Sequence, residues 1–139
     1  MTTGQHVSEL PELLLDRSLG GVAVPALLRA AGLTVHTLVE IYGSRADEVA
    51  DAEWLGHGGR QGWPVLLKDQ RVRYRAAERA MLTVHGIKAF CLTGGDLRPV
   101  VLAEQFLRVR EEVALACTRP GPSLQAISAS GMRGVPLDA

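Results

Sequence analysis

Four acidic residues of this chain stand where the ends of strands or helices would bring them together. Asp16 ends the apolar run ELLLD, Glu40 lies two residues past LTVHTL, and Asp69 lies two residues past WPVLL. If these runs are parallel strands, their carboxyl ends share the sheet edge at which open α/β sheets bind ligands. Asp51 opens the helical segment that leads into the third run, and it reaches that edge only if the loop before it folds back.

Several carboxylates at one edge of the predicted sheet indicate a binding site for a metal cation. Like charges that lie close together cost free energy unless something compensates, and Mg²⁺ or Mn²⁺ prefers carboxylate oxygens and water as ligands. Such an ion activates bound water and stabilises an in-line phosphodiester displacement. Two simpler interpretations stay open: an Asp at a helix start is most often an N-cap, and a polar residue after a strand is most often part of a loop.

Positive charge surrounds the third acid. Five basic residues fall within twelve positions, namely Lys68, Arg71, Arg73, Arg75 and Arg79. Basic side chains next to a metal site are suited to bind the phosphates of a nucleic acid. We expect Lys68, Arg71 and Arg73 to make these contacts, with Arg17 as a further donor. The alternative is a solvated helix face on which Glu78 pairs with a neighbour.

The elements that must position these residues alternate along the chain. Strands are predicted at 12–16, 33–38, 63–67 and 87–92, and helices at 24–32, from Asp51 onward, at 74–85 and over 97–117. This alternation predicts right-handed βαβ units in an α/β fold, with a mainly parallel sheet between two layers of helices. The glycines at 56, 58 and 59 count against the helix from Asp51. The stretch 123–137 has two interpretations, an edge strand with a turn at 130–131 or a flexible tail.

Composition narrows the classes of protein. Lys plus Arg and Asp plus Glu number 15 each, so the chain as a whole lacks a basic signature and any attraction to RNA must come from local charge. The cysteines and histidines show none of the spacings of a zinc site. No stretch approaches the roughly 18 apolar residues of a membrane span. We therefore expect one cytoplasmic domain without membrane contact.

Four ordered segments resemble the PIN-like domains of VapC-type toxins. They are LLLDRSLGGVAVPALLRAAGLTVHTL, ADAEWL, GWPVLLKDQRVR and IKAFCLTGGDL, and the resemblance covers about residues 12–128. It is to the branch with D-R-S-L, D-x-E-W and T-K-D motifs. It implies a single PIN-like domain over 1–139, a three-layer sandwich with a central, mainly parallel sheet of four to five strands. Residues 1–9 and 129–139 are expected to be flexible.

The members of that family are metal-dependent ribonucleases, usually toxins that a cognate antitoxin holds inactive. Three of the family's acidic positions match aspartates of this chain, namely Asp16, Asp51 and Asp69, and the resemblance implies that these three bind the metal. The family's acid after the second strand falls on Glu40, with Asp47 and Glu48 as rivals in the same variable connection. The resemblance thus implies a Mg²⁺- or Mn²⁺-dependent endoribonuclease with these four acids as catalytic residues. Its partners would be RNA and an antitoxin, and a homodimer is compatible with it.

One position departs from the family pattern. The family commonly has Thr or Ser two residues before the strand-end aspartate, where this chain has Leu67. This difference keeps a second hypothesis open, a degenerate PIN-like domain that binds RNA or a protein without cutting. A third hypothesis, a phosphoacceptor signalling domain on a similar sheet, needs paired acids after the first strand, and LLLDRS has a single acid.

Overall fold

The computed structural model describes residues 10–68, 76–96 and 98–137. Within these ranges the strands are β1 (Leu13–Leu15), β2 (Val35–Thr37), β3 (Val65–Lys68), β4 (Lys88–Leu92), β5 (Ser123–Ser128) and β6 (Gly131–Gly134). The helices are α1 (Ala23–Ala30), α2 (Leu38–Tyr42), α3 (Asp51–Gln61), α4 (Ala76–His85), α5 (Pro99–Arg108) and α6 (Arg110–Cys117). None of the helices in the described part of the chain has the length and apolar character needed to cross a membrane.

The strands form one sheet in the order β2-β1-β3-β4-β5-β6. The first five strands run parallel to one another, and β6 runs antiparallel to β5. The predicted α/β fold with a mainly parallel sheet is therefore confirmed, with one strand more than expected. From β1 the chain passes to β2 on one side and then crosses back to β3 on the other side of β1. Such a reversal is a switch point, which leaves a crevice at the carboxyl edge of a sheet.

Helices cover both faces of the sheet. Leu13 and Leu15 of β1 face one core, which α1, α5 and α6 close, while Leu14 faces the other core under α2, α3 and α4. Because side chains alternate across a strand, consecutive leucines are all buried only when both faces are covered. The result is the three-layer sandwich that the sequence predicts.

Strand β2 is shorter than the predicted strand at 33–38. It ends at Thr37 because this residue is also the N-cap of α2. The Thr37 hydroxyl accepts a hydrogen bond from the Glu40 amide, and the Glu40 carboxylate accepts one from the Thr37 amide. This reciprocal capping box satisfies two backbone donors that a helix start leaves open, and it turns the strand directly into the helix.

The predicted helix over 97–117 is two helices, α5 and α6, with Leu97 outside the described residues. The backbone of Val109 leaves helical geometry, with φ −110° and ψ 21°. Its side chain nevertheless stays buried with Phe106 and Val113 in one core. The helical spacing of apolar residues therefore continues across the break, and the sequence pattern alone does not reveal it.

The C-terminal stretch forms a hairpin of β5 and β6. Flexibility is predicted for 129–139, whereas residues 131–134 pair with β5 in antiparallel register. The turn between the strands is held from outside, because Arg108 Nη1 donates to the Ala129 carbonyl at 3.1 Å. Of the two interpretations of this stretch, the described residues up to 137 follow the one with an edge strand and a turn.

Close packing explains why α3 contains glycines that lower helix propensity. A Cβ atom on Gly58 would lie 2.8 Å from Cδ2 of Leu14 in β1, and one on Gly59 would lie 2.6 Å from the carbonyl oxygen of His85 at the end of α4. Only a residue without a side chain allows the helix to approach both neighbours this closely. The helix that begins at Asp51 is thereby fixed against the sheet and against α4.

We expect Gly59→Ala to reduce the free energy of unfolding by about 1–3 kcal/mol, because the added methyl group must displace a backbone carbonyl. In a helix without that contact, the same change stabilises by about 1 kcal/mol. Gly56→Ala is the matched control, since its Cβ would meet only side-chain atoms of Arg60 and His85. Urea unfolding measures both variants, and equal gains in stability would contradict the packing argument.

Candidate active site

A cavity of about 240 Å³ lies under α3 and α4, where the ends of β1 and β3 meet. Its charged lining residues are Asp16, Arg17, Asp51, Glu78 and Arg79. The rest of the lining is apolar and includes Trp54 and Leu67. Charged groups beside a shielded apolar wall interact more strongly than they would in bulk water, so this cavity is the candidate active site.

The D-R-S-L motif builds the first side of the cavity. Asp16 caps the short 3-10 turn that follows β1, and its Oδ2 accepts a hydrogen bond from the Ser18 amide at 3.2 Å. The Ser18 hydroxyl accepts from the amide of Lys68 at 3.2 Å, which ties the turn to the end of β3. Leu19 anchors the turn in the core. The motif thus holds Asp16 at the carboxyl edge, beside the third strand.

The D-x-E-W motif builds the second side. Asp51 is the first residue of α3, and the N-cap is Ala50. The simpler interpretation of Asp51 as an N-cap is therefore wrong. Asp51 Oδ1 accepts a hydrogen bond from Trp54 Nε1 at 3.0 Å, and the indole is buried. Glu53 pairs with Arg45 at 3.3 Å on the outside of the helix. Carboxylates in a first turn also interact favourably with the helix dipole.

Arg17 connects the two sides. Its Nη2 donates to the carbonyl oxygens of Ala46 at 3.1 Å and Val49 at 3.0 Å. Its Nη1 lies 3.5 Å from Asp51 Oδ1. The loop before α3 therefore folds back over the sheet edge, which is the condition that the sequence sets for Asp51 to reach Asp16. Arg17 is predicted to contact RNA phosphate, and in this structure much of its guanidinium is engaged within the fold.

Two of the predicted acids, Asp16 and Asp51, line the same cavity. Asp69 lies outside the described residues, as do Arg71 and Arg73, so their placement stays a prediction. Lys68, the residue before Asp69, ends β3 and is partly exposed. Within the described ranges no group of three or more His, Cys, Asp or Glu side chains is placed to hold a metal ion.

Glu40 lies elsewhere in the described structure. Its carboxylate accepts hydrogen bonds from Arg29 Nη2 at 2.8 Å and from the Thr37 amide at 3.1 Å. It does not line the cavity that contains Asp16 and Asp51. Its rivals in the sequence, Asp47 and Glu48, are exposed in the connection before α3.

Glu78 and Arg79 are cavity residues that the sequence interpretation places in a basic or solvated segment. Arg79 is only 8% exposed, and both residues lie in the first turn of α4 on the side that faces the cavity. A signal was present, because 78, 79 and 82 are spaced as one helix face and Leu82 is a core residue. Leu67 also lines the cavity, so an apolar side chain stands where the family commonly has a hydroxyl.

Comparisons with known proteins define the class. A family model described as "PIN like domain" matches residues 11–94, and the chain belongs to this family. The chain is 33% identical over 125 residues to a protein of Mycobacterium tuberculosis (strain ATCC 25618 / H37Rv) named "Putative ribonuclease VapC45". The match covers 89% of this chain and 91% of that protein. The branch of the family is therefore the VapC type. No solved structure gives a significant match. The family resemblance of the sequence is thus confirmed.

The pair between Arg29 and Glu40 predicts a pH dependence of stability. Hydrogen bonds from the Arg29 guanidinium hold the pKa of the Glu40 carboxyl below its ordinary value of 4.5. A carboxyl with a lowered pKa stabilises the fold above its unfolded pKa, and this contribution is lost as the pH falls through the folded pKa. We expect Glu40→Gln, which can keep the capping box, to lower the free energy of unfolding at pH 7 by less than about 1 kcal/mol.

The measurement is urea unfolding of the parent, Glu40→Gln, Arg29→Met and the double variant across pH. The coupling between the two positions should shrink as the pH falls below 4.5 and vanish once Glu40 is protonated in both states. A coupling that is the same at every pH would show that the pair does not depend on the Glu40 charge.

Proposed function

We propose that this chain is a metal-dependent endoribonuclease and the toxin of a type II toxin–antitoxin pair. The observation that carries the proposal is that Asp16 and Asp51, from separate elements, line one cavity beside the end of β3, after which Asp69 follows in the sequence. Membership in the VapC-type PIN-like family and the ribonuclease name of the relative support it. The substrate is RNA, and the reaction is hydrolysis of a phosphodiester bond.

The donor set suits Mg²⁺ or Mn²⁺. Asp16 uses Oδ2 to cap its turn and Asp51 uses Oδ1 to accept from Trp54. The second oxygen of each carboxylate makes no hydrogen bond to a residue in the described part of the chain. Mg²⁺ is usually held by one or two carboxylates together with waters, and we assign Asp16, Asp51 and Asp69 as ligands. The ion would stabilise negative charge on the phosphate and lower the pKa of a bound water.

The basic residues after β3 would bind rather than react. Guanidinium and ammonium groups donate to phosphate oxygens and fix the substrate's position. They cannot take a proton from water, because arginine and lysine side chains are already protonated at neutral pH. We assign this role to Lys68, Arg71 and Arg73. Glu40 acts as a fourth catalytic acid only if its pair with Arg29 opens, and the proposal therefore depends on the three aspartates.

We expect the purified chain to cleave RNA with Mn²⁺ and to lose this activity in EDTA. Asp16→Asn, Asp51→Asn and Asp69→Asn should each lower the rate by about 100-fold or more, because each removes a ligand charge from the reacting centre. Glu111→Gln, which changes an exposed carboxylate on α6, is the control and should cleave normally. Cleavage that persists in EDTA or in Asp16→Asn would refute the proposed site.

A degenerate domain that binds RNA without cutting is the second candidate. The observation that favours it is the apolar Leu67 side chain in the cavity wall. A parent protein that binds RNA in Mn²⁺ without cleaving it would support this candidate. Cleavage gained in Leu67→Thr would then identify the absent hydroxyl as the cause.

The partner we propose is an antitoxin that docks beside α1 and α2. Exposed apolar side chains are available there: Val22 before α1 is 80% exposed, and Val39 of α2 is 58% exposed. A Cβ on Gly21 would lie 3.9 Å from Val39 Cγ2, so the residues before α1 adjoin α2. An antitoxin helix could bury these valines while an Arg or Lys from the same protein pairs with Asp16 or Asp51.

Expression of the chain alone should slow growth, and co-expression with the neighbouring gene should restore growth and give a co-purifying complex. Val39→Ser should weaken that complex because it removes an apolar anchor. Val84→Ser, at an even more exposed valine on α4, is the control and should leave the complex intact. A chain that is harmless and purifies alone would favour the degenerate binding domain.

A further inference from the structure

We propose that Arg17 is a positioning residue of the metal site: its guanidinium holds the loop before α3 and thereby sets Asp51 opposite Asp16. This inference rests on the proposed function and replaces the prediction that Arg17 contacts RNA phosphate. Arg17 directly follows Asp16, and both side chains line the cavity that contains Asp51. One residue of the first motif therefore places the acid of the second motif.

The hydrogen bonds of Arg17 carry the inference. Nη2 bridges two carbonyl oxygens that are three residues apart, at Ala46 and Val49. Both residues have buried side chains, and a carbonyl in such surroundings needs a donor to replace water. Because Val49 lies two residues before Asp51, the position of its carbonyl helps to fix where α3 begins. Nη1 then lies 3.5 Å from Asp51 Oδ1.

Charge alone argues against an arginine at this position. A guanidinium repels a divalent cation bound to the same carboxylates, so its removal should tighten metal binding if nothing else changed. The side chain is 38% exposed, and solvent screening limits this effect to about five-fold in affinity. Loss of a group that orients a metal ligand typically weakens metal affinity by about 10- to 100-fold. The loss of repulsion and the loss of positioning change the metal affinity in opposite directions. The direction of the measured change therefore tells which effect dominates.

The test is a titration of Mn²⁺ into metal-free protein, with free Mn²⁺ measured by electron paramagnetic resonance. We expect Arg17→Met and Arg17→Lys to bind Mn²⁺ about 10- to 100-fold more weakly than the parent. Lysine keeps the charge, but its single nitrogen cannot bond both carbonyls and also lie beside Asp51, as Nη2 and Nη1 of Arg17 do together. Arg45→Met is the matched control, because Arg45 lies in the same loop and pairs with Glu53 rather than Asp51; it should bind Mn²⁺ like the parent.

A second measurement needs no metal. Trp54 Nε1 donates to Asp51 Oδ1, so the indole N–H resonance of Trp54 in metal-free protein reports the position of that carboxylate. It should shift in Arg17→Lys and stay unchanged in Arg45→Met. The salt dependence of RNA affinity should also be unchanged in Arg17→Met, which removes the charge, whereas the Arg71 and Arg73 double replacement should flatten it.

Each other result counts against the inference. Tighter or unchanged Mn²⁺ binding in Arg17→Met would leave the proposed function standing and overturn the positioning role. A parent protein that binds no Mn²⁺ would overturn both proposals. If circular dichroism shows that Arg17→Met and Arg17→Lys are both unfolded, Arg17 stabilises the whole fold and has no specific role in positioning Asp51.

Discussion

The hydrogen bonds between the end of β1 and β3 are the constraint on which the site depends. Leu15 pairs with Leu66, and the Asp16 amide donates to the Leu66 carbonyl at 3.0 Å. The Ser18 hydroxyl continues this contact one step beyond the strand by accepting from the Lys68 amide. Asp16 therefore leaves the sheet beside the strand that leads to Asp69. The other parts of the cavity are placed relative to this edge. Helix α3 packs on β1, and the loop before α3 is hydrogen-bonded to Arg17.

Both short motifs combine a chemical group with the contacts that hold it. In D-R-S-L, Asp16 caps the turn that follows it, Ser18 bonds to the end of β3, and Leu19 is buried in the core. Four consecutive residues therefore fix one side of the cavity. In D-x-E-W the indole of Trp54 is buried and donates back to the carboxylate three residues earlier. These contacts give a structural reason why each motif carries more information than its single acid alone.

The order of strands and helices could be predicted because it follows from local patterns and from the topology of parallel sheets. The presence of Asp16 and Asp51 in one cavity was implied by the family resemblance, since topology leaves open whether the loop before α3 folds back. The burial of Arg79 could not be predicted, because a long cationic side chain can lie in solvent or along apolar surface, and that outcome depends on how closely α4 approaches the sheet. The partners of Arg17 were equally hidden, since they are backbone carbonyls and carry no sequence signal. The short β2 was predictable in principle, because T-L-V-E at 37–40 is a capping-box pattern.

Strand β2 lies at one edge of the sheet and is three residues long. An exposed edge strand offers a row of free backbone groups onto which another chain can add. Thr37 belongs to the strand and caps α2 at the same time, so the strand cannot lengthen without releasing the first hydrogen bonds of the helix. The capping box that holds Glu40 thus limits this edge strand at its carboxyl end, and a short edge strand is a poor template for pairing with another chain.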